Sequence, residues 1–294
     1  LPVSELLRYA APEAPVNTDL TVGGEWDLRM TGRIDGNINL RRESGDIAML
    51  SNTSARLGLT TLTMTGAANN GRLALRLLAE GSKPGRIAVD LDTVIGGGDS
   101  RFSIAPSAPF TGRARIDAPT LNWLGPLVSQ TLVTEGSLQA DVAIDGTFGR
   151  PRFSGGINAD RLRVLLTDTG VDLRNGTLRS HFQGDQLLVD NLTFRNGEGT
   201  LNIRGPLSMV REELAVELNV NASRYLLLDR FDRKLVVSGS SVIGWRTGQA
   251  KANGRFIVDS GMIDIGSSEA PQLSDDVIVV GQSDKQGTRT VLAL

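Results

Sequence analysis

Histidines, cysteines and paired carboxylates are the usual starting points for chemistry, and this chain has few of them. Its 294 residues include one histidine and no cysteine. The histidine, His181, lies in Arg179-Ser180-His181-Phe182. One imidazole leaves no room for a catalytic triad or a histidine-rich metal site, so His181 reads as a surface residue on a strand. The absence of cysteine excludes disulfides and thiolate metal sites. Asp275-Asp276 and Glu212-Glu213 are adjacent pairs, and neighbours on an extended chain point to opposite faces. Asp90 and Asp92 share a face, but Ile87, Val89 and Leu91 take the other, which is the pattern of a solvated sheet face. Gly96-Gly97-Gly98 lacks the Lys-Ser/Thr that a phosphate cradle needs. Four Asn-x-Ser/Thr sequons, at Asn52, Asn175, Asn191 and Asn221, fit polar β turns. Trp26, Trp123 and Trp245 are too dispersed for a sugar-stacking platform. The residues therefore predict no catalytic residue, no metal, no cofactor and no enzyme.

The elements that would carry any function are strands. From Leu20 to Leu40 every even position is apolar or glycine, including Leu20, Val22, Trp26, Leu28, Met30, Ile34, Ile38 and Leu40. Apart from Gly23, every odd position from Thr21 to Arg41 is polar or charged. A period of two means one apolar face and one wet face. Unbroken, the stretch would run to roughly 70 Å at about 3.3 Å per residue, far beyond a usual strand. A two-residue hairpin at Asp35-Gly36 would oppose apolar and polar residues. A three-residue loop, Asp35-Gly36-Asn37, keeps the faces pure. One long strand and a hairpin with an odd loop both satisfy the pattern.

The same grammar continues along the chain. The spacing of Leu57, Leu59, Leu62 and Met64 slips by one at Thr60-Thr61 and predicts a bulge. Asn70-Gly71, Asn175-Gly176 and Ser260-Gly261 predict two-residue hairpins, because a two-residue loop at each brings apolar residues opposite one another. Leu138, Ala140, Val142 and Ile144 alternate cleanly, as do Leu214, Val216, Leu218 and Val220. Short helices are expected at 4–9 and at 121–132, the latter broken at Gly125-Pro126. The organisation is a lead-in at 1–19, β structure over 20–119, a helical or irregular insertion at 120–134, and β structure again over 135–294. The fold class is all-β and mostly antiparallel.

Composition agrees. The 34 glycines exceed an average usage of about 7%, which suits many turns and bulges. A formal net charge of −2 offers no basic field for nucleic acid. The longest apolar runs, such as Val164-Leu165-Leu166, are far short of a membrane helix, and no signal peptide is evident. A chain that opens Leu1-Pro2-Val3 and ends Val291-Leu292-Ala293-Leu294 in mid-pattern reads as a piece of a longer protein.

One phrase is distinctive: Ile144-Asp145-Gly146-Thr147-Phe148-Gly149-Arg150-Pro151-Arg152-Phe153-Ser154-Gly155-Gly156-Ile157. After it come Asp168 to Gly176, Leu192-Thr193-Phe194, Lys234 to Gly239, Gly254 to Gly261 and Leu273 to Val279. In this order they resemble the C-terminal part of the TamB family, the inner-membrane component of the bacterial translocation and assembly module, within the AsmA-like, bridge-like lipid-transfer proteins. The resemblance extends more weakly through Gly45-Asp46-Ile47 and Leu57-Gly58-Leu59. It implies a long sheet curled into a U-shaped, taco-like groove with an apolar lining. It implies a full-length protein anchored in the inner membrane and crossing the periplasm, joined to an outer-membrane TamA-like barrel, and serving phospholipid transport and outer-membrane protein assembly. The anchor helix and the extreme C-terminal segment of that family are not in this sequence.

Two functions follow as expectations. In the first, acyl chains lie on a lining formed by Leu20, Val22, Trp26, Leu28, Met30, Ile34, Ile38, Leu40, Met64, Leu73, Leu75, Leu77, Leu138, Val142, Ile144, Val216, Leu218 and Val220. In the second, sheet edges pair with strands of an outer-membrane client such as an autotransporter. The alternation alone would equally suit the inner faces of a closed sandwich. The resemblance favours the groove.

Overall fold

The computed structural model describes residues 2–3, 16–30, 34–49, 52–94, 105–210, 213–246 and 249–264. These are almost entirely strand. In chain order they are β1 (Val16–Thr18), β2 (Thr21–Met30), β3 (Ile34–Ser44), β4 (Ile47–Met49), β5 (Asn52–Arg56) and β6 (Leu59–Asn69). Next come β7 (Arg72–Gly81), β8 (Gly85–Val94), β9 (Phe110–Ala118), a single-turn helix α1 (Gly125–Val128), β10 (Leu132–Thr147) and β11 (Arg150–Leu166). The chain continues with β12 (Val171–Gln183), β13 (Gln186–Asn196), β14 (Gly199–Val210), β15 (Glu213–Asp229), β16 (Arg233–Arg246) and β17 (Gln249–Ile263).

Fourteen of these strands form one long curled antiparallel sheet, ordered as they occur from β2 to β17, with β4 and β5 set aside. Those two join β1 in a small three-stranded sheet. Asp46 ties the two sheets together. Its carboxylate accepts the amides of Ile47 (2.8 Å), Gly58 (2.7 Å) and Leu59 (3.2 Å), and its carbonyl accepts the Thr18 hydroxyl (3.0 Å). Beside it Leu20, Val22 and Leu59 form a buried cluster.

The hairpin at Asn70-Gly71 is present. Asn69 opposes Arg72, and both loop residues have positive φ (52° and 78°), the conformation of the tight turn that matches strand twist. The slip near Thr60 is a bulge between Leu59 and Thr61. The 20–40 stretch is a hairpin with a three-residue connection, but it lies earlier than Asp35-Gly36-Asn37: Met30 opposes Ile34, and Gly36 pairs within β3. Residues 31–33 themselves lie outside the described set.

Two expected hairpins are corrected. Asn175-Gly176 lies inside β12, where Asn175 has φ 50° and the register with β11 shifts around Leu162 and Gly176. Ser260-Gly261 lies inside β17, opposite a shift between Val236 and Val237. In both places the change of side-chain parity comes from a bulge, which adds one residue to a strand without reversing it. The helix near 121–132 shrinks to α1, and Gly125-Pro126 opens it rather than breaking it, since proline fits the first helical turn. The helix expected at 4–9 lies outside the described residues.

Candidate functional site: the apolar face

The register sets several of the expected residues in rows on one face of the sheet. One row crosses the sheet as Gly24, Leu40, Met64, Leu77, Val89, Ala114, Val142 and Gly155. The next runs Trp26, Ile38, Gly66, Leu75, Leu91, Gly112, Ile144 and Phe153. No charged residue interrupts either row. Glycines are fitted to it: a Cβ on Gly66 would sit 2.6 Å from Ile38 and 2.9 Å from Leu75, so those two side chains already cover it. Gly155, at φ 99°, would set a Cβ against the Asp141 carbonyl.

Burial sorts the expected residues into three groups. Ile38, Leu40, Met64, Leu73, Leu75, Leu77, Leu138, Val142, Ile144, Val216, Leu218 and Val220 are half-buried. Trp26 (68% exposed) and Leu28 are exposed near the sheet edge. Leu20 and Val22 are buried in the cluster beside Asp46 and present no surface. Met30 and Ile34 close the first hairpin.

The other face is polar and laced with cross-strand pairs. Arg113 Nε donates to Asp141 (2.6 Å), Arg152 Nε to Asp145 (2.7 Å) and Arg179 Nη2 to Asp160 (2.8 Å). Asp90 lies 3.6 Å from Arg76, as a solvated face requires. His181 is exposed there, with Nδ1 2.8 Å from Asp190 Oδ2. Such exposed pairs contribute little to stability, but they keep this face in water. Glu213 begins β15, while Glu212, Asp275, Asp276 and Gly96 to Gly98 lie outside the described residues.

Sequence reasoning missed how β12 to β15 are joined. Each pairs with the next, and beyond the tip of the β13–β14 hairpin β12 also pairs with β15, through Val171 and Leu228. The four strands thus close a circuit. Phe194, Leu201, Ala222, Tyr225 and Val237 are buried together there, with Tyr225 at 0% exposure and Phe194 at 2%. Burial pushes the Tyr225 hydroxyl pKa up.

An ion network spans the junction. Arg163 on β11 grips Asp172 on β12 with both Nε and Nη2 (2.9 Å each), and its Nη1 reaches Glu135 on β10 (3.1 Å). Arg174 adds a third donor to Asp172 (2.7 Å) and lies 3.4 Å from Asp229 on β15. The hydrogen bond from Arg163, helped by Arg174, holds the Asp172 carboxyl down at about 2 against the desolvation that opposes it. The same contact raises the pKa of Arg163. The available sequence signal was the polar alternation of Asp172 and Arg174 against Val171 and Leu173.

Among the described residues no group of three or more His, Asp or Glu side chains could hold a metal ion, and no helix is long and apolar enough to cross a membrane. The chain matches no protein-family model, no curated protein and no solved structure.

Proposed function

We propose that the apolar face shelters phospholipid acyl chains and conducts them, as part of a periplasmic path between the inner and outer membranes that supports outer-membrane biogenesis. The observation that carries this reading is the pair of uncharged apolar rows running across the sheet from β2 to β11. Each methylene moved from water to such a surface gains about 0.8 kcal/mol, so a long tail prefers it strongly to solvent. Repeated Leu, Ile, Val and Met side chains offer sites of similar depth, which lets a chain slide without a trap. The phrase from Ile144 to Ile157 and its successors, which resemble the TamB family, point the same way. In that reading the full-length protein is anchored in the inner membrane and meets a TamA-like barrel through regions beyond this chain. The test is extraction of the purified protein followed by lipid mass spectrometry. Phospholipid in near-stoichiometric amount supports the proposal, and its absence from protein purified without detergent would count against it.

A second reading, a scaffold that pairs with strands of outer-membrane clients, draws on β17. All fifteen of its residues are exposed and, among the described residues, its outer edge carries no further strand. Exposed edges are templates for strand addition. Crosslinking from Ile257 to an unfolded autotransporter segment, without bound lipid, would favour the scaffold.

A further inference from the structure

The apolar face does not keep its width. At β6 it spans Leu62, Met64, Gly66 and Ala68 before reaching a turn. At β13 it loses most of that span, because Phe194 is buried and Leu192 is packed against the cluster around Tyr225. Ile203 and Val220, the partners of Leu192 in successive strands, are packed there too. The adjoining row, Ser180–Val189–Gly205, is interrupted by the polar side chain of Ser180. The Ser180 hydroxyl is spent on the Ile157 carbonyl at 2.7 Å.

One continuous half-buried apolar row passes the closed circuit without packing against that cluster: Phe182, Leu187, Leu207 and Val216, which leads on to the exposed Trp245. It is continuous with the wide part of the face. Gly156 opposes His181 and Phe153 bridges Gly184, a register that sets Gly155, the partner of Val142, beside Phe182. The Phe153 and Phe182 rings lie 5.4 Å apart, and a hollow of about 1150 Å³ beside Phe153 is also lined by Phe148, Pro151 and Gly184 together with the charged Arg150, Arg152 and Asp185.

Resting on the acyl-chain reading above, we infer that the β12–β15 circuit is a constriction. It confines passing tails to the single row Phe182–Leu187–Leu207–Val216 and excludes them from Ile203 and Val220. The reason is steric. The cluster at Tyr225 and Phe194 is closed to solvent, and a methylene chain has no lower-energy way in than to displace packed side chains. On this path Val216 is a lining residue, and the half-buried Val220 is held against the Tyr225 cluster.

The experiment places a photo-crosslinking benzoylphenylalanine at Val142, Leu187, Val216, Ile203 or Val220, one at a time. Each protein is mixed with phosphatidylethanolamine–phosphatidylglycerol vesicles carrying radiolabelled acyl chains, and circular dichroism checks that each is folded. The expected result is label at Val142, Leu187 and Val216 alike, with loss to background at Ile203 and Val220. A further variant, Leu187→Asp, should keep label at Val142 and lose it at Val216. Equal label at all five positions, or label at Val142 with none at Leu187 and Val216, would overturn the constriction while leaving acyl binding in place. No label at any position, Val142 included, would remove the acyl-chain reading and the path with it.

Discussion

Asp172→Asn should weaken the β12–β15 junction by about 2 kcal/mol at neutral pH, and most of the deficit should be gone near pH 2.5. The carboxyl side chain is 4% exposed and takes three donors from Arg163 and Arg174. Its pKa falls from 3.8 to about 2, and a pKa unit corresponds to about 1.4 kcal/mol, which gives the figure of about 2 kcal/mol. The folded-state pKa is depressed. Stability from this group is therefore complete above about pH 4 and is lost as pH falls through 2, below which the acid form is shared by folded and unfolded chains. Urea titrations of both proteins at pH 7 and near pH 2.5, followed by circular dichroism, measure the difference. Asparagine keeps the shape and one acceptor oxygen, and its NH2 faces the arginine donors much as the O–H of a protonated carboxyl would, so the variant stands in for the acid form of Asp172. An equal deficit at both pH values, or none at pH 7, would refute the assignment of this network as the polar clamp of the junction.

Other substitutions probe the remaining structural claims. Phe194→Ala, which empties the core at the hairpin tip, should cost about 3–5 kcal/mol by chemical denaturation, whereas Leu28→Asp, at a 40% exposed site, should cost far less. Asp46→Ala removes the acceptor of three backbone amides and should cost about 3 kcal/mol or more, seen as early loss of amide-exchange protection at Ile47, Gly58 and Leu59. Gly155→Ala forces a Cβ against the Asp141 carbonyl at a positive φ and should lower the melting temperature, while Ala143→Gly on the facing strand should have a small effect.

The alternation from Leu20 to Leu40 was legible because side-chain period depends only on local backbone geometry, and Trp26 opposite Ile38 keeps the face as read. Asn70-Gly71 was legible because both residues tolerate positive φ and nothing beyond the turn competes for them. Asn175-Gly176 looked the same in sequence, yet the same tolerance served a bulge, since Arg161 on the neighbouring strand also takes a positive φ (53°) and the register between the two strands shifts there. A turn and a bulge both flip parity, and only pairing with distant strands separates them. The Asp172 network and the circuit closed by Val171 and Leu228 bring together residues up to ninety-odd positions apart, from Glu135 to Asp229, and no local pattern carries that information. The same holds for Leu20 and Val22, whose apolar character fits a lining as well as the buried cluster they join.

The central claim is that the apolar face carries acyl chains, and lipid transfer between vesicles tests it most directly. Purified protein is added to donor vesicles holding a fluorescent phospholipid and its quencher, with unlabelled acceptors. The unaltered chain is compared with Val142→Arg/Ile144→Glu, which sets a charge pair on the two long rows, and with Ala143→Arg on the opposite face. Ionised side chains keep their water and interrupt the apolar track. The account predicts transfer by the unaltered chain and by Ala143→Arg, and transfer at the protein-free rate for the charge pair with its circular dichroism unchanged. Full transfer by the folded charge-pair variant, or none by the unaltered chain, would contradict it.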